Sequence, residues 1–302
     1  MPPQFTKLHG FGNDYIVIES DQLAGIEVLD SFARMICDRH YGAGADGIAV
    51  VSPVADDTAD YLVRIFNPDG SEAGLSGNGT RCAAAHLYYK KIWSGEELRL
   101  STRSGIKRYF LRGQDGHGKY VFDSELGQPK FDSRSIPMIT AQPLEKVIDY
   151  PLPLGNETVK VTALQMGNPN CCIFLDNFDA LDWRLIGRTI EKHQQFPERT
   201  NVVFVRVQDR GTIELRIWER GVGETTASGT CSCAAAVATI INGKADALVN
   251  VIMPGGEARI HWRQDGEVVI TGNAEVIYIG DWQAPVAWSD PNSVTNLVSP
   301  HD

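Results

Sequence analysis

The sequence predicts an α/β protein (α+β mixed) of two pseudo-symmetric domains. Each is a mixed, mostly antiparallel sheet wrapped around a central helix, with the active site in the cleft between. Three observations carry that reading. First, the chain repeats at half its length: Arg64-Ile65-Phe66-Asn67 returns as Arg216-Ile217-Trp218-Glu219, 152 residues on. At that offset Glu72 falls on Glu224, Ser76-Gly77 on Ser228-Gly229 and Ala83-Ala84 on Ala235-Ala236; with small slips, Gly12-Asn13 falls on Gly167-Asn168 and His40 on His193. Solenoid repeats run about 20–50 residues, so this period is a duplicated domain. Second, the two copies present the same order of elements. Third, in each copy a Gly-rich turn opens an Ala-rich helix that is apolar on all sides, and such a helix has to be buried.

In the first copy, residues 15–18 read as a strand, 30–39 as a helix, 48–51 and 61–66 as strands, and 80–87 as the central helix. In the second, the matching segments are 172–175, 181–192, 202–205, 212–218 and 231–241. Strands at 98–102, 107–111 and 120–122 follow the first helix, and 249–253, 257–262 and 268–271 the second. The hairpin-like turns between them make them antiparallel. Gly127-Gln128-Pro129-Lys130 marks the boundary, giving domains at 1–126 and 127–272 and a surface tail at 283–302.

Composition narrows the function. The 302 residues are 43% hydrophobic and 22% charged, which suits a folded globular chain. A net charge of −10 argues against a nucleic-acid or membrane-surface partner, since both call for a basic face. No apolar run is long enough for a membrane span. The start MPPQFTKLHG lacks the character of a secretion signal, so a cytoplasmic place is expected. Six cysteines are too few for a disulfide scaffold in a chain this size, and reduced thiols are expected.

Ser76-Gly77-Asn78-Gly79 and Ser228-Gly229-Thr230 each sit directly before a central helix. Taken singly, either serine reads as an ordinary N-cap. As a pair on a duplicated scaffold, they point to two helix N-termini facing one ligand. Unpaired N–H groups and the positive end of the helix dipole suit a carboxylate there. Asn13, Asn67, Asn168 and Asn201 recur at loop positions in both copies. Beside them, Arg220 offers a fork for a carboxylate and Glu219 a partner for an ammonium group, so the ligand reads as an amino acid.

These residues carry a resemblance. His9-Gly10-Phe11-Gly12-Asn13-Asp14, residues 64–72, Ser76 through Cys82, Met166-Gly167-Asn168-Pro169, residues 196–202 and Glu219 through Thr225 together resemble the diaminopimelate epimerase family, in order and over nearly the whole chain. The resemblance implies a cofactor-independent, homodimeric isomerase of lysine and cell-wall biosynthesis that needs neither pyridoxal nor a metal. It implies that Asn13, Asn67, Asn168, Asn201, Glu219 and Arg220 contact substrate, and that Gly77, Asn78, Gly229 and Thr230 hold the reacting carboxylate. It also implies a last strand, about 273–282, that returns to the first domain. In that chemistry one thiolate removes the α-proton and a thiol on the other face returns one.

Here Ser76 and Ser228 stand where the resemblance implies those two cysteines. A serine hydroxyl is a far weaker acid than a thiol and needs a neighbouring base. The expectation is therefore epimerase or racemase chemistry, LL- to meso-diaminopimelate, with binding better preserved than turnover. The alternatives are a serine branch or Cys-to-Ser variant that binds an amino acid with little turnover, and a hydroxy-amino-acid dehydratase. Two further departures are Asn170, where the resemblance implies His, and Cys231, where it implies Gly. Cys231 and Cys233 lie at i, i+2 on a helix and face different ways, which suits buried packing better than a metal site.

Overall fold

The computed structural model describes residues 2–26, 28–55 and 57–283; the tail read from the sequence lies, but for its first residue, outside them. The first half runs β1 (Gln4–Gly10), β2 (Asn13–Glu19), α1 (Leu29–Cys37), β3 (Gly47–Pro53), β4 (Tyr61–Phe66), β5 (Glu72–Ala73), α2 (Gly77–Tyr89), β6 (Glu97–Thr102), β7 (Gly105–Gln114) and β8 (Lys119–Gly127). The second runs β9 (Val147–Leu154), β10 (Glu157–Met166), β11 (Asn168–Phe174), α3 (Trp183–Glu191), β12 (Asn201–Asp209), β13 (Thr212–Glu219), β14 (Gly223–Thr225), α4 (Gly229–Ile241), β15 (Leu248–Met253), β16 (Gly256–Trp262) and β17 (Val268–Asp281).

The pairing repeats as the sequence does. The hairpins β1–β2 and β10–β11 are antiparallel. Parallel pairs β2–β3 and β11–β12 follow, then antiparallel β3–β4 and β12–β13, and then parallel β4–β6 and β13–β15. Each parallel pair is bridged by a helix. α1 and α3 cover the outer face of their sheets, with Phe32 and Ile36 in one core and Trp183 and Ile190 in the other. α2 and α4 are enclosed instead. Every residue from Asn78 to Tyr88 is buried, and so is every residue from Cys231 to Thr239. Their alanines and cysteines let strands approach on all sides, as the all-round apolar pattern predicts. All six cysteines are buried and free. No helix among the described residues is long and apolar enough to cross a membrane.

Two features differ from the sequence reading. The sequence shows no strand between the boundary and residue 168, yet β9 and β10 form a hairpin there. Pro151 and Pro153 hide β9; among the described residues it pairs only with β10, so it is an edge strand, where proline is tolerated. The segments read as 268–271 and 273–282 are one continuous strand. β17 pairs with β16 through Val268–Thr271, with β8 through Val268–Glu275 and with β1 through Glu275–Asp281.

Phe11 makes a second link between the halves. It sits in the β1–β2 turn at φ 56°, a left-handed conformation uncommon for a side chain of this size. Its ring is 5% exposed and belongs to the core around α4. Three glycines make room for it. A Cβ at Gly272 would stand 2.9 Å from the ring, one at Gly256 3.1 Å from the ring, and one at Gly255 2.7 Å from the Phe11 carbonyl. The guanidinium of Arg81, from α2, lies 4.8 Å over the same ring. Phe11→Ala is therefore expected to empty a close-packed slot and lower unfolding free energy by about 3–5 kcal/mol, read by denaturant unfolding. Val222→Ala, on a side chain 73% exposed, serves as the neutral control.

Candidate active site

Both central helices begin as the turns predict, with Ser76 and Ser228 as extended N-cap residues. The helices are in contact, and both pack against β17. Burial raises the Cys233 thiol pKa on α4, and the Arg81 guanidinium of α2 offsets part of that rise.

The two serines have different surroundings. Ser76 Oγ accepts from the Gly79 amide at 3.0 Å, an ordinary cap, and also from the Tyr15 hydroxyl at 2.8 Å. Ser228 makes no side-chain cap bond; its hydroxyl donates to Glu219 Oε2 at 3.2 Å. Glu219, at the end of β13, accepts from the Thr225 hydroxyl at 2.8 Å through its other oxygen. Burial pushes the Glu219 carboxyl above its usual range, and the two hydroxyl donors offset part of that rise.

The other residues fall into two polar clusters. In the first half, Asn13 donates to Asp46 Oδ2 at 2.8 Å and accepts from Asn78 Nδ2 at 3.1 Å. Asn78 in turn accepts from Arg81, whose Nε donates to the Asn273 carbonyl at 2.9 Å. In the second half, Asn170 Nδ2 donates to the Asn168 carbonyl and side chain at 2.7 and 3.1 Å. Asn170 Oδ1 accepts from Asn201 at 3.2 Å, and Asn201 Oδ1 accepts from the Arg220 amide at 2.9 Å. Asn168, Asn201 and Arg220 are thus strung together through Asn170. Asn67 stands apart, closing its own turn onto Ser71 at 2.9 Å. Gly77 is exposed, and Gly229 and Thr230 are half-buried. The Arg220 guanidinium donates to the Glu198 carbonyl at 3.1 Å and is otherwise exposed.

Sequence reasoning passed over four residues that shape this region. Tyr15 read only as part of a strand. Asp46 lies in Gly44-Ala45-Asp46-Gly47, which in sequence resembles a family turn near the substrate and reads equally well as a plain helix-to-strand loop. Asn170 was noted only as a departure. Glu191 gave no signal, yet its buried carboxylate accepts from Trp218 Nε1 and the Gly221 amide, each at 2.9 Å, and so braces the turn that carries Glu219 and Arg220. A separate cavity of 520 Å³ lies along the seam, lined by His9, Phe11, Lys119, Arg259, Asn273 and Glu275 among others. Neither serine lines it.

Among the described residues the strands form one 17-stranded sheet, joined through β17 and rolled around two central helices. The chain superposes on a phenazine biosynthesis protein of the PhzF family from Bacillus anthracis with a TM-score of 0.64, at 16% identity over 94% of this chain and all of that one. A hydroxyproline epimerase from Agrobacterium vitis gives 0.63 at 15% identity, covering 93% and 90%. At such identities the likeness is one of fold. The family model of diaminopimelate epimerase matches residues 5–130 and 162–277. Diaminopimelate epimerases from Pelotomaculum thermopropionicum and Synechocystis sp. are 39% and 38% identical to this chain, over 92% and 93% of it and 98% and 99% of their own lengths. The chain belongs to the diaminopimelate epimerase family.

The raised carboxyl of Glu219 gives the folded state a pH signature. A folded pKa above the unfolded one means that the charged form is penalised on folding. That group's contribution is fully favourable at acid pH and is lost as pH rises through the folded value. Glu219→Gln is expected to raise the melting temperature near pH 8 relative to the unsubstituted protein, with the gap shrinking toward pH 4, as followed by thermal melts across that range.

Proposed function

We propose that the protein is an amino-acid epimerase that interconverts LL- and meso-diaminopimelate by moving a proton at the α-carbon. Family membership over nearly the whole chain carries this reading, and the two helix N-caps support it. The substrate carboxylate would sit on the free amides of Gly77-Asn78 and Gly229-Thr230. There the helix ends would stabilise the negative charge that builds up when the α-proton leaves, which is an electrostatic task. Ser76 and Ser228 would face the α-carbon from opposite sides. Asn13, Asn67, Asn168, Asn201, Glu219 and Arg220 would hold the ammonium and distal groups. Buried free thiols suit a reducing, cytoplasmic setting.

The assembly we propose is a homodimer. Beyond Glu275, β17 pairs with β1 on one side and with no strand on the other among the described residues. Ile277, Tyr278 and Ile279 are exposed there by 50%, 41% and 42%, and an apolar open edge is a ready pairing surface. Light scattering is expected to give twice the chain mass, and Ile277→Asp with Ile279→Asp is expected to halve it.

The activity is tested with LL-diaminopimelate in heavy water, following deuterium at the α-carbon by proton NMR. Slow exchange is expected. Placing cysteine at both positions 76 and 228 is expected to raise its rate by about 100-fold or more, since a thiol supplies acid–base catalysis that a hydroxyl supplies poorly. Tight binding without exchange in either form would reject epimerisation in favour of a binding protein. Ammonia released from a hydroxylated amino acid would favour a dehydratase.

A further inference from the structure

The two serines are the same residue at matching places in a duplicated scaffold, yet their hydrogen bonds run in opposite senses. A hydroxyl has one proton to give and two lone pairs to offer. Both lone pairs of Ser76 are taken, by the Tyr15 hydroxyl at 2.8 Å and by the Gly79 amide at 3.0 Å. Among the described residues no acceptor takes the Ser76 proton. Ser228 is the reverse: it accepts no cap bond from its helix amides, and its proton points to Glu219.

Tyr15 cannot turn away. It is 6% exposed, and a Cβ at either Gly47 or Gly79 would stand 2.8 Å from its ring edge, so both glycines are needed to seat the ring. Burial also pushes its phenol well above the usual range, which keeps it a donor throughout the working pH range.

We propose that Tyr15 is a positioning residue that, with the Gly79 amide, fixes Ser76 as the proton donor of the pair and leaves Ser228, backed by Glu219, as the acceptor. This rests on the proton-transfer reading of the site. As Ser228 Oγ takes the α-proton, its own proton passes to the Glu219 carboxylate, and the electron pair of the broken C–H bond stays on the α-carbon. That carbon then takes the Ser76 proton on its other face. Glu219 ends neutral and Ser76 Oγ ends as an alkoxide, held by the Tyr15 O–H and the Gly79 N–H. Water entering as product leaves gives Ser76 its proton, and Glu219 loses its own to water through Ser228. The opposite direction runs the same steps backward.

The decisive experiment needs no substrate. Because all six native cysteines are buried, S76C introduces one accessible thiol, and its alkylation by iodoacetamide against pH reports that thiol's pKa. Adding Y15F removes one donor to the sulfur and is expected to raise the pKa by about one unit, slowing alkylation near pH 7 about tenfold. Thermal melts of S76C with and without Y15F are expected to coincide, which separates positioning from a general loss of structure. In the serine protein, Y15F is expected to lower kcat about tenfold or more with KM unchanged. Identical S76C profiles with and without Y15F would overturn the role of Tyr15. Failure to epimerise would instead strike the reading of the site and leave the alkylation result interpretable.

Discussion

A helix that is apolar on every side has no face it can turn to water. That constraint organises this molecule. α2 and α4 carry runs of alanine, with cysteine and leucine or valine, and are buried through most of their lengths, and α2 buries Arg81 and His86 with them. One flat sheet could cover only one side of such a helix, so in each half the strands curl round it, and the outer faces of those strands take α1 or α3. An enclosed helix then offers the outside only its ends. The N-terminal end is the chemically useful one, because its amides lack intrahelical partners and carry the positive end of the dipole. The site follows from the core.

What holds the halves in register is more particular. β17 belongs to both, and Phe11 leaves its own half to fill a slot framed by glycines in the other. Arg81 completes the joint. It is 1% exposed, and its partners are the side chain of Asn78, the carbonyl of Asn273 and the face of Phe11. A buried cation is costly unless its donors are satisfied. These partners come from the first turn of α2, from β17 and from the β1–β2 turn, so satisfying the guanidinium fixes the beginning of α2 against the seam.

Much of this was legible in the sequence, for identifiable reasons. The repeat exposed the duplication because matching blocks kept their order. The all-round apolar helices announced themselves because no other environment tolerates them, and Ser76 and Ser228 fell at their N-caps as the turns required. The rest depended on long-range partners. β9 was hidden because its prolines argue against a strand unless its outer edge is known to be open. Phe11 sits in a motif, but its destination in the opposite core depends on glycines 244–261 positions away in the chain. Glu191 and Tyr15 read as ordinary members of a helix and a strand, and their roles come from what the fold places beside them. Asn170 read as a loss, yet at 0% exposure it is the middle of the chain of amides that joins Asn168 to Asn201.

Duplication supplies two equal helix ends, but the groups behind them need not be equal. Behind Ser76 is a strand residue, Tyr15, whose phenol gives a hydrogen bond. Behind Ser228 is Glu219, whose carboxylate receives one. Gene doubling alone would have carried one partner to both places, and the register of the repeat shows where it diverged: Glu219 matches Asn67, which in the first half turns away to close its own loop on Ser71. A pair of hydroxyls, each too weak an acid or base alone, thereby acquires opposite hydrogen-bonding polarity from residues outside the helices.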